Sequence, residues 1–294
     1  MLEFKSPTLQ DYDKFAPFFY DEGELSCEMN FISLYVWQKV YENKFYLDDK
    51  TLIFKSVMDD ECVFSVPYGD LEYGMSLIFS YCKQNSIKPN LWASQGKRLN
   101  NLLKIYNCFE VLPDRDSFDY IYNRQDLAEL SGKKYHSKRN HISAFSKKYD
   151  WRYETLTREN LCDFLSFADK WYADKGEAED AGLTAEHQAL REILTAEPDL
   201  KIKGGMIKIG DKTVAATFGS PINYYTFDVH FEKADVDFST AYSVINREFA
   251  LRELSEYKYI NREDDLGLEG LRKAKLSYKP ELLLEKYSLV YKGE

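Results

Sequence analysis

One unit of strand, turn and short helix is predicted by residues 257–280, which read YKYINREDDLGLEGLRKAKLSYKP. Its first residues are aromatic or β-branched, which favours a strand. Asn261 to Asp265 then form a polar turn, and leucines at helical spacing follow until Pro280. Three acids precede three basic residues, so the two ends of the unit carry opposite charges. Such a unit suits a substrate that carries both an amine and a phosphate.

Two sequence motifs resemble those of a known family. NREDDLG, GLR and KLSYKP, all within residues 261–280, look like the hallmark of the phosphatidylglycerol lysyltransferase C-terminal-domain family. GKKYHSKRNHI at residues 132–142, with Phe145 after it, is similar to the basic helix of that family. The resemblance implies a relation to aminoacyl-tRNA-dependent transferases, although many soluble members of the family have no known function.

Length and charge limit the classes of protein to consider. The 294 residues exceed the roughly 100–200 residues of one domain, which predicts two domains. The formal net charge of −10 argues against a general nucleic-acid-coating protein, so any polyanion must be bound locally. The five cysteines include no Cys-x-x-Cys pair, which argues against zinc and redox motifs and indicates reduced thiols.

The sequence contains no apolar run near the ~18 residues that a transmembrane helix needs, and it does not begin like a signal peptide. We therefore expect a soluble, cytoplasmic protein without a transmembrane segment. The full-length lysyltransferases of the resembled family differ, because they carry a large membrane portion.

Helices and strands are predicted in nearly the same order in the two halves of the chain. The first half gives two helices, three strands, and then helix, strand, helix and strand. The second half adds one strand in front of this order and ends with a strand predicted over Leu282 to Tyr291. This is the order of an N-acetyltransferase-like (GNAT-like) domain. We expect an α+β fold of two tandem GNAT-like domains, each a mixed, mostly antiparallel sheet flanked by helices. The predicted boundaries are residues 1–124 for the first domain, 125–150 for a basic linker helix, and 151–294 for the domain that carries the site.

The predicted linker helix is strongly basic. Residues 133–148 contain six lysines or arginines and no acid. Charge alone supports a phosphate-binding surface and a solvated interdomain helix about equally, and the match of Arg139 and Asn140 to the family pattern favours binding. The predicted phosphate- or tRNA-binding residues are Lys134, Lys138, Arg139, Asn140, Arg272 and Lys275. His136 and His141 lack the i, i+4 spacing of helical metal ligands, and no metal site is predicted.

The predicted reaction site lies between two strands of the second domain. In a domain of this order the fourth and fifth strands diverge, and the acyl group enters between them. These strands are predicted over Asn223 to Phe231 and Tyr257 to Asn261. Asp228 and His230 lie two residues apart on one strand and therefore face the same side.

The roles predicted for these residues follow from their chemistry. A carboxylate such as Asp228 orients an α-amine, and His230 is a candidate general base, with a packed histidine as the alternative. Tyr278 is a candidate general acid, with ordinary packing as the alternative. The predicted substrate-binding residues are Asn261, Arg262, Glu263 and Asp264.

Coenzyme A is the expected donor for this fold, but residues 232–239 argue against it. A glycine-rich loop with the pattern Gln/Arg-x-x-Gly-x-Gly/Ala normally binds the pyrophosphate there. This chain has EKADVDFS, with no glycine and three acids. We therefore expect no cofactor and a donor that is an aminoacyl-tRNA, with an anionic phospholipid headgroup as another partner. A non-catalytic module that binds an anion and a coenzyme A-dependent N-acetyltransferase remain as alternatives.

Overall fold

A computed structural model describes residues 2–58, 60–196 and 200–293 of the chain. Its helices are α1 (Tyr12–Glu22), α2 (Phe31–Val36), α3 (Leu71–Asn85), α4 (Lys97–Ile105), α5 (Arg124–Glu129), α6 (His136–Lys148), α7 (Leu161–Asp174), α8 (Ala181–Leu194), α9 (Ala241–Arg252) and α10 (Glu269–Leu276). Its strands are β1 (Lys44–Leu47), β2 (Thr51–Met58), β3 (Glu61–Ser65), β4 (Tyr68–Gly69), β5 (Asn90–Ser94), β6 (Phe109–Pro113), β7 (Asp119–Asn123), β8 (Trp151–Thr155), β9 (Lys203–Ile209), β10 (Lys212–Pro221), β11 (Thr226–Ala234), β12 (Tyr259–Asn261), β13 (Leu282–Leu284) and β14 (Lys286–Tyr291).

Within the described residues the strands form two sheets of similar topology. The first has the order β1-β2-β3-β5-β14-β6, and β4 pairs with β2 at its side. The second has the order β13-β7-β12-β11-β10-β9-β8. Each contains one parallel pair, β3 with β5 in the first and β11 with β12 in the second, and the other pairs are antiparallel.

The two sheets exchange strands, which the sequence did not predict. β7 comes from the first half of the chain but lies in the second sheet, between β12 and β13. β14 ends the second half but lies in the first sheet, between β5 and β6. The single strand predicted over Leu282 to Tyr291 is therefore wrong, because it divides at Glu285 into β13 and β14, which pair in different sheets. A division of the chain at residue 124 separates both exchanged strands from the sheets that they complete.

One apolar core joins the two halves. Phe15 and Phe31 of the first half belong to the same buried cluster as Phe164, Phe218 and Phe231 of the second. The ring of Phe164 lies 6.1 Å from that of Phe218 and 5.5 Å from that of Phe231. Burial of this shared surface holds α2 against the second sheet, next to β11.

Candidate functional site

β11 and β12 separate after a short parallel pairing. They pair from Thr226 opposite Tyr259 to Asp228 opposite Asn261, over three residues. β11 continues to Ala234, whereas β12 ends at Asn261. In the described residues no strand pairs with β11 on that side beyond Asp228, which leaves a gap between β11 and the turn after β12.

A β-bulge in β11 lies beside this gap. Phe231 is opposite Phe218 of β10, but Val229 is opposite Gly219, so His230 is the extra residue. A Cβ atom on Gly219 would lie 1.9 Å from the carbonyl oxygen of Asp228, so only glycine allows this close approach. Bulges redirect side chains. Here Val229 and Phe231, the residues before and after His230, lie on opposite faces of the sheet instead of the same face.

Two acids meet His230 on the face of the second sheet that packs against α2. The His230 Nδ1 atom lies 3.7 Å from the Asp228 Oδ2 atom and 3.4 Å from the Glu263 Oε1 atom. Its Nε2 atom lies 2.8 Å from the Ser220 hydroxyl. The Ser33 hydroxyl, from α2, is 3.3 Å from both Asp228 Oδ2 and His230 Nδ1. Residues from both halves of the chain therefore form one polar cluster.

The acids of this cluster are poorly neutralised. Asp228 is fully buried, and its Oδ1 atom has no hydrogen-bond partner in the described part of the chain. Burial, with the nearby Glu263 and Asp119 carboxylates, raises the pKa of Asp228 well above its usual range. Burial also raises the pKa of Asp264 to about 7, although the Lys286 ammonium opposes this shift. Glu263 has a left-handed backbone with φ of 55° and keeps a quarter of its side chain exposed.

A buried lysine joins the exchanged strands next to these acids. The Lys286 Nζ atom, on β14, lies 2.7 Å from the Asp119 Oδ1 atom on β7 and 2.6 Å from the Glu28 Oε1 atom. Asn261 donates hydrogen bonds from Nδ2 to Asp119 Oδ2 at 2.9 Å and to the Leu25 carbonyl at 2.8 Å. Asn261 thus fixes the end of β12 against the first half.

Cationic side chains lie on the opposite face of the second sheet, which packs against α9. Arg262 donates from Nη2 to Glu232 at 2.6 Å, and Glu232 also accepts from Asn246 of α9. The Arg262 Nη1 atom is buried without a hydrogen-bond partner among the described residues. Lys138, on α6, places its Nζ atom 3.7 Å from the centre of the Tyr278 ring. Burial and the Arg262 charge lower the pKa of Lys138 to about 8.

Tyr278 is buried beneath these two cations. Its hydroxyl donates to Ser243 of α9 at 3.4 Å, and its ring packs edge-on against Tyr122 of β7. Burial raises the pKa of Tyr278. The Arg262 guanidinium lies 4.9 Å from the centre of the same ring, so Tyr278 contacts both Lys138 and Arg262.

The other predicted residues of the linker helix make local contacts. Lys134 forms an ion pair with Asp126 at 2.7 Å. Arg139 donates from Nη1 to the carbonyls of Leu130 and Gly132, which end α5 and the turn after it. The Asn140 amide lies 3.3 Å from the His136 ring. The structure does not bring these three side chains to the gap.

The two predicted cations of α10 are also bound internally. Arg272 forms ion pairs with Asp265 at 2.8 Å and with Asp116 at 2.7 Å. The buried Lys275 donates to the carbonyls of Arg262 and Asp264 and so holds the turn after β12. Of the six predicted phosphate-binding residues, Lys138 alone shares the Tyr278 ring with the Arg262 guanidinium, and its ammonium has no ion pair in the described part of the chain.

Four residues of the site escaped the sequence analysis. Ser33 and Ser220 lie in apolar surroundings of the sequence, and nothing local distinguishes them. Asp119 and Lys286 carried a signal that is visible in retrospect, since each places a buried charge at the start of a strand of mostly aromatic and aliphatic residues. A buried charge needs a partner, and these two are partners of each other across 167 positions of sequence.

Comparison with known proteins identifies the family. A family model described as "Phosphatidylglycerol lysyltransferase, C-terminal" matches residues 23–290. A conserved protein of unknown function from Bacteroides thetaiotaomicron has a solved structure with a TM-score of 0.91 and 36% identity, covering 99% of this chain and 100% of that chain. An uncharacterized protein of Mycoplasmoides gallisepticum is 25% identical over 174 residues, which are 58% of this chain. The match spans only about half, 55%, of that relative.

Other solved structures share the fold at low identity. L-PGS from Bacillus licheniformis gives a TM-score of 0.66 at 14% identity, covering 99% of this chain and 94% of that chain. A GNAT-family acetyltransferase from Colwellia psychrerythraea gives 0.51 at 12% identity, covering 99% of each chain. The predicted fold class of two tandem GNAT-like domains is confirmed, with the two sheets completed by exchanged strands. No helix in the described residues has the length and apolar content needed to cross a membrane. The chain belongs to the phosphatidylglycerol lysyltransferase C-terminal-domain family.

Proposed function

We propose that this protein is an aminoacyl- or acyltransferase whose donor is an aminoacyl-tRNA rather than acetyl-coenzyme A. One observation carries the proposal: the gap between β11 and β12 has a cationic pair on one face of the sheet and an acidic cluster on the other. Membership of the phosphatidylglycerol lysyltransferase C-terminal-domain family supports a transferase. Fold alone does not assign a reaction, so the argument rests on the side chains of the gap.

The two faces suit the two ends of an aminoacyl-tRNA terminus. A phosphate beside Lys138 and Arg262 would offset the burial and the Arg262 charge that lower the pKa of Lys138, and it would accept from the Arg262 Nη1 atom, which has no partner among the described residues. The α-ammonium of the aminoacyl group would neutralise the acids at Glu263 and Asp264. Both ends of the donor would thus gain charge partners that the chain itself leaves incomplete.

The loop before α9 supports the exclusion of coenzyme A. Asp235 and Asp237 stand where the amides of a glycine-rich loop bind pyrophosphate in GNAT-like domains. Asp235 accepts from the Asp237 amide at 3.0 Å and forms an ion pair with Lys212 at 2.9 Å, so this loop already satisfies its own groups. Phosphates brought to this loop would meet like charge.

The proposed reaction needs no covalent enzyme intermediate. An amine or hydroxyl of the acceptor attacks the carbonyl carbon of the aminoacyl ester, and the ester bond to the tRNA ribose breaks. His230 is proposed to take the acceptor's proton, with the Asp228 carboxyl beside it. Tyr278 is proposed to return a proton to the ribose oxygen that leaves.

The test compares donors by direct binding. Filter binding would measure the affinity of the protein for a mixed aminoacyl-tRNA pool and for the same tRNA after deacylation, and calorimetry would measure its affinity for acetyl-coenzyme A. We expect the aminoacyl form to bind most tightly. Lys138→Met should weaken tRNA binding and reduce the slope of log K against log salt by about one. The matched control is Lys134→Met, whose ammonium already pairs with Asp126, and it should change neither quantity. Tight coenzyme A binding without tRNA binding would contradict the proposal.

A non-catalytic binding module is the second candidate, because Asp228 and His230 are almost completely buried. It predicts that Asp228→Asn, His230→Ala and Glu263→Gln leave every measurable activity intact. The transferase predicts that these variants lose release of the amino acid from its tRNA to an acceptor amine. Single-turnover assays of the variants therefore separate the candidates.

A further inference from the structure

Three potential metal ligands converge in the acidic cluster. The His230 Nδ1, Asp228 Oδ2 and Glu263 Oε1 atoms all lie within 4.8 Å of one another. Ligands bound to Zn²⁺ at about 2.0–2.2 Å stand roughly 3–3.5 Å apart in tetrahedral geometry, close to the 3.4 and 3.7 Å separations from Nδ1. We propose that Asp228, His230 and Glu263 bind one divalent transition-metal ion such as Zn²⁺.

An unsatisfied oxygen points independently to a missing cation. The Asp228 Oδ1 atom is fully buried and has no hydrogen-bond partner among the described residues. Buried carboxylate oxygens are normally paired, so one without a partner calls for an explanation. The other oxygen of the same carboxylate, Oδ2, faces His230 Nδ1, and a metal ion bound there would supply the positive charge that the Asp228 carboxylate and Glu263 lack.

The surroundings of His230 already orient it as a ligand. Its Nε2 atom is 2.8 Å from the Ser220 hydroxyl, and that hydroxyl donates to the Asn30 side chain at 3.1 Å. The hydrogen bond at Nε2 fixes the ring and turns Nδ1, which the Ser33 hydroxyl approaches at 3.3 Å, toward the proposed metal position. One imidazole and two carboxylates suit Zn²⁺, Mn²⁺ or Co²⁺ better than the soft ions that prefer sulfur.

A nearby group of similar composition does not qualify as a metal site. Cys27, Glu28 and Asp119 also offer ligand atoms within 4.8 Å of one another. The Lys286 ammonium lies 2.6 Å from Glu28 and 2.7 Å from Asp119, so a cation of the protein occupies their centre. The Asp228 group contains no such ammonium in the described chain.

His187 also contacts two acids, but in an arrangement that cannot chelate a metal ion. Glu177 lies 2.9 Å from its Nδ1 atom and Asp169 lies 2.8 Å from its Nε2 atom. The two acids therefore contact opposite edges of the ring, and no single ion can bind all three residues. At His230 both acids are near Nδ1, so His187 provides a matched control.

The metal site lies in the gap of the proposed function, but the two proposals can be tested separately. With an ion bound, Asp228, His230 and Glu263 are all ligands, neither Asp228 nor His230 is the general base, and a donor amine is left to Asp264. The ion would act as a Lewis acid that polarises the ester carbonyl. Metal binding requires no assumption about the donor and can be measured without it.

The experiment is a metal titration of the purified full chain after chelator treatment. Zn²⁺ would be titrated against a chromophoric competitor, and Co²⁺ would be followed by its visible absorption. We expect one equivalent to bind, more tightly as the pH rises from 5 to 8 because protons compete for the ligands. Asp228→Asn and Glu263→Gln should each weaken binding by about 10-fold or more, and His187→Ala should bind as the wild type does. Glu263→Gln alters a partly exposed side chain, so it keeps the test valid if Asp228→Asn does not fold.

Absence of a stoichiometric site in the wild type would overturn the metal proposal, as would equal affinity in the wild type and Glu263→Gln. Aminoacyl-tRNA binding measured in EDTA reports on the donor alone. A protein that binds metal but not aminoacyl-tRNA would therefore retain the metal site and lose the proposed function. A protein that binds aminoacyl-tRNA but no metal would retain the proposed function and lose the metal site.

Discussion

The two parallel strand pairs of the molecule share a backbone arrangement but differ in their side chains. β3 and β5 pair over three residues, from Val63 opposite Asn90 to Ser65 opposite Trp92. There the central pair, Phe64 and Leu91, is buried in an apolar cluster. β11 and β12 also pair over three residues, but their last pair is Asp228 opposite Asn261, both buried and polar. The fold therefore provides this position twice, and only at the second do a histidine and two acids, His230 with Asp228 and Glu263, come together.

The exchanged strands account for the position of the polar cluster. β7 carries Asp119 into the second sheet, and β14 carries Lys286 into the first. Their ion pair lies beside Asn261, at the point where β12 ends. The first parallel pair also ends beside a buried ion pair, Arg98 with Glu24 at 3.3 Å, in which Arg98 donates to the Val66 carbonyl and Glu24 accepts from Ser94. Ser65, at the end of β3, accepts from the Phe54 amide.

The largest expected effect is on the contact between the exchanged strands. Lys286→Met would leave the fully buried Asp119 carboxylate without its ammonium partner. Breaking a buried pair in this way costs about 3–5 kcal/mol, and urea unfolding followed by tryptophan fluorescence would measure it. Lys273→Met is the control, because Lys273 pairs with Glu269 on the exposed surface of α10. Equal stability of the two variants would show that the pair does not hold the sheets together.

A smaller loss of stability is expected when a methyl group is added at the β-bulge. In Gly219→Ala the added methyl group would clash with the Asp228 carbonyl, so β10 and β11 must move apart, at a cost of about 1–3 kcal/mol. Gly270→Ala is the matched control, since a Cβ atom there has no neighbour within 4 Å. Denaturant midpoints compare the two. If Gly219→Ala were as stable as the wild type, β11 would tolerate another register and the position of His230 would not be fixed.

The pH dependence of stability should distinguish the acidic cluster from exposed acids. The pKa of Asp264 rises from 3.8 to about 7 on folding, so the folded state holds its proton more tightly than the unfolded state. Its contribution to stability is fully present below about pH 3.8 and is lost as the pH rises to about 7. Asp264→Asn lacks this loss, so the stability of the variant relative to wild type should grow over that window and stay constant above it. Urea unfolding in EDTA at pH 4, 5.5 and 7.5 would measure this.

Asp211→Asn, on the exposed β9–β10 turn, is the control for that series. The stability of Asp211→Asn relative to wild type should not grow over the pH window in which that of Asp264→Asn grows. A difference for Asp264→Asn that is constant with pH would place Asp264 in a solvated setting and remove it from the cluster.

The smallest expected effect is on the proton affinity of a single lysine. NMR of reductively methylated protein should find a pKa of about 8 for Lys138, which rises when phosphate is added. Lys134 provides the comparison, because its ion pair with Asp126 raises its pKa above the usual 10.5. A Lys138 pKa near 10.5 would mean that its ammonium is free of Arg262 and exposed to solvent.

Local patterns predicted the elements of the fold but not their assignment to sheets. Helical spacing identified α6, and alternation identified the strands that carry Asp228 and Asn261. An alternating strand pattern does not specify a distant partner, so nothing local indicated that β7 and β14 change sheets. β6 was missed in the sequence, and the charged residues Glu285 and Lys286, where the chain passes from one sheet to the other, were read as part of one strand. The pairing of Asp119 with Lys286 follows from that exchange and was equally inaccessible.

Charge runs predicted more binding residues than the structure supports. Arg139 and Lys275 bind backbone carbonyls, and Arg272 binds two aspartates, because a long cationic side chain satisfies the nearest free acceptor. Sequence spacing cannot show which cations retain charge for a ligand. Lys138 differs because burial over the Tyr278 ring places its ammonium beside the Arg262 guanidinium, whose Nη2 atom pairs with Glu232 and whose Nη1 atom has no partner among the described residues.

The most direct test of the central claim is a crystal structure with a non-hydrolysable aminoacyl-adenosine analogue bound. We expect the analogue in the gap between β11 and β12, with its α-ammonium near Asp264 and Glu263 and its ribose on the side of Lys138 and Arg262. An analogue bound elsewhere, for example beside β3 and β5, would contradict the claim, as would an empty gap at millimolar ligand.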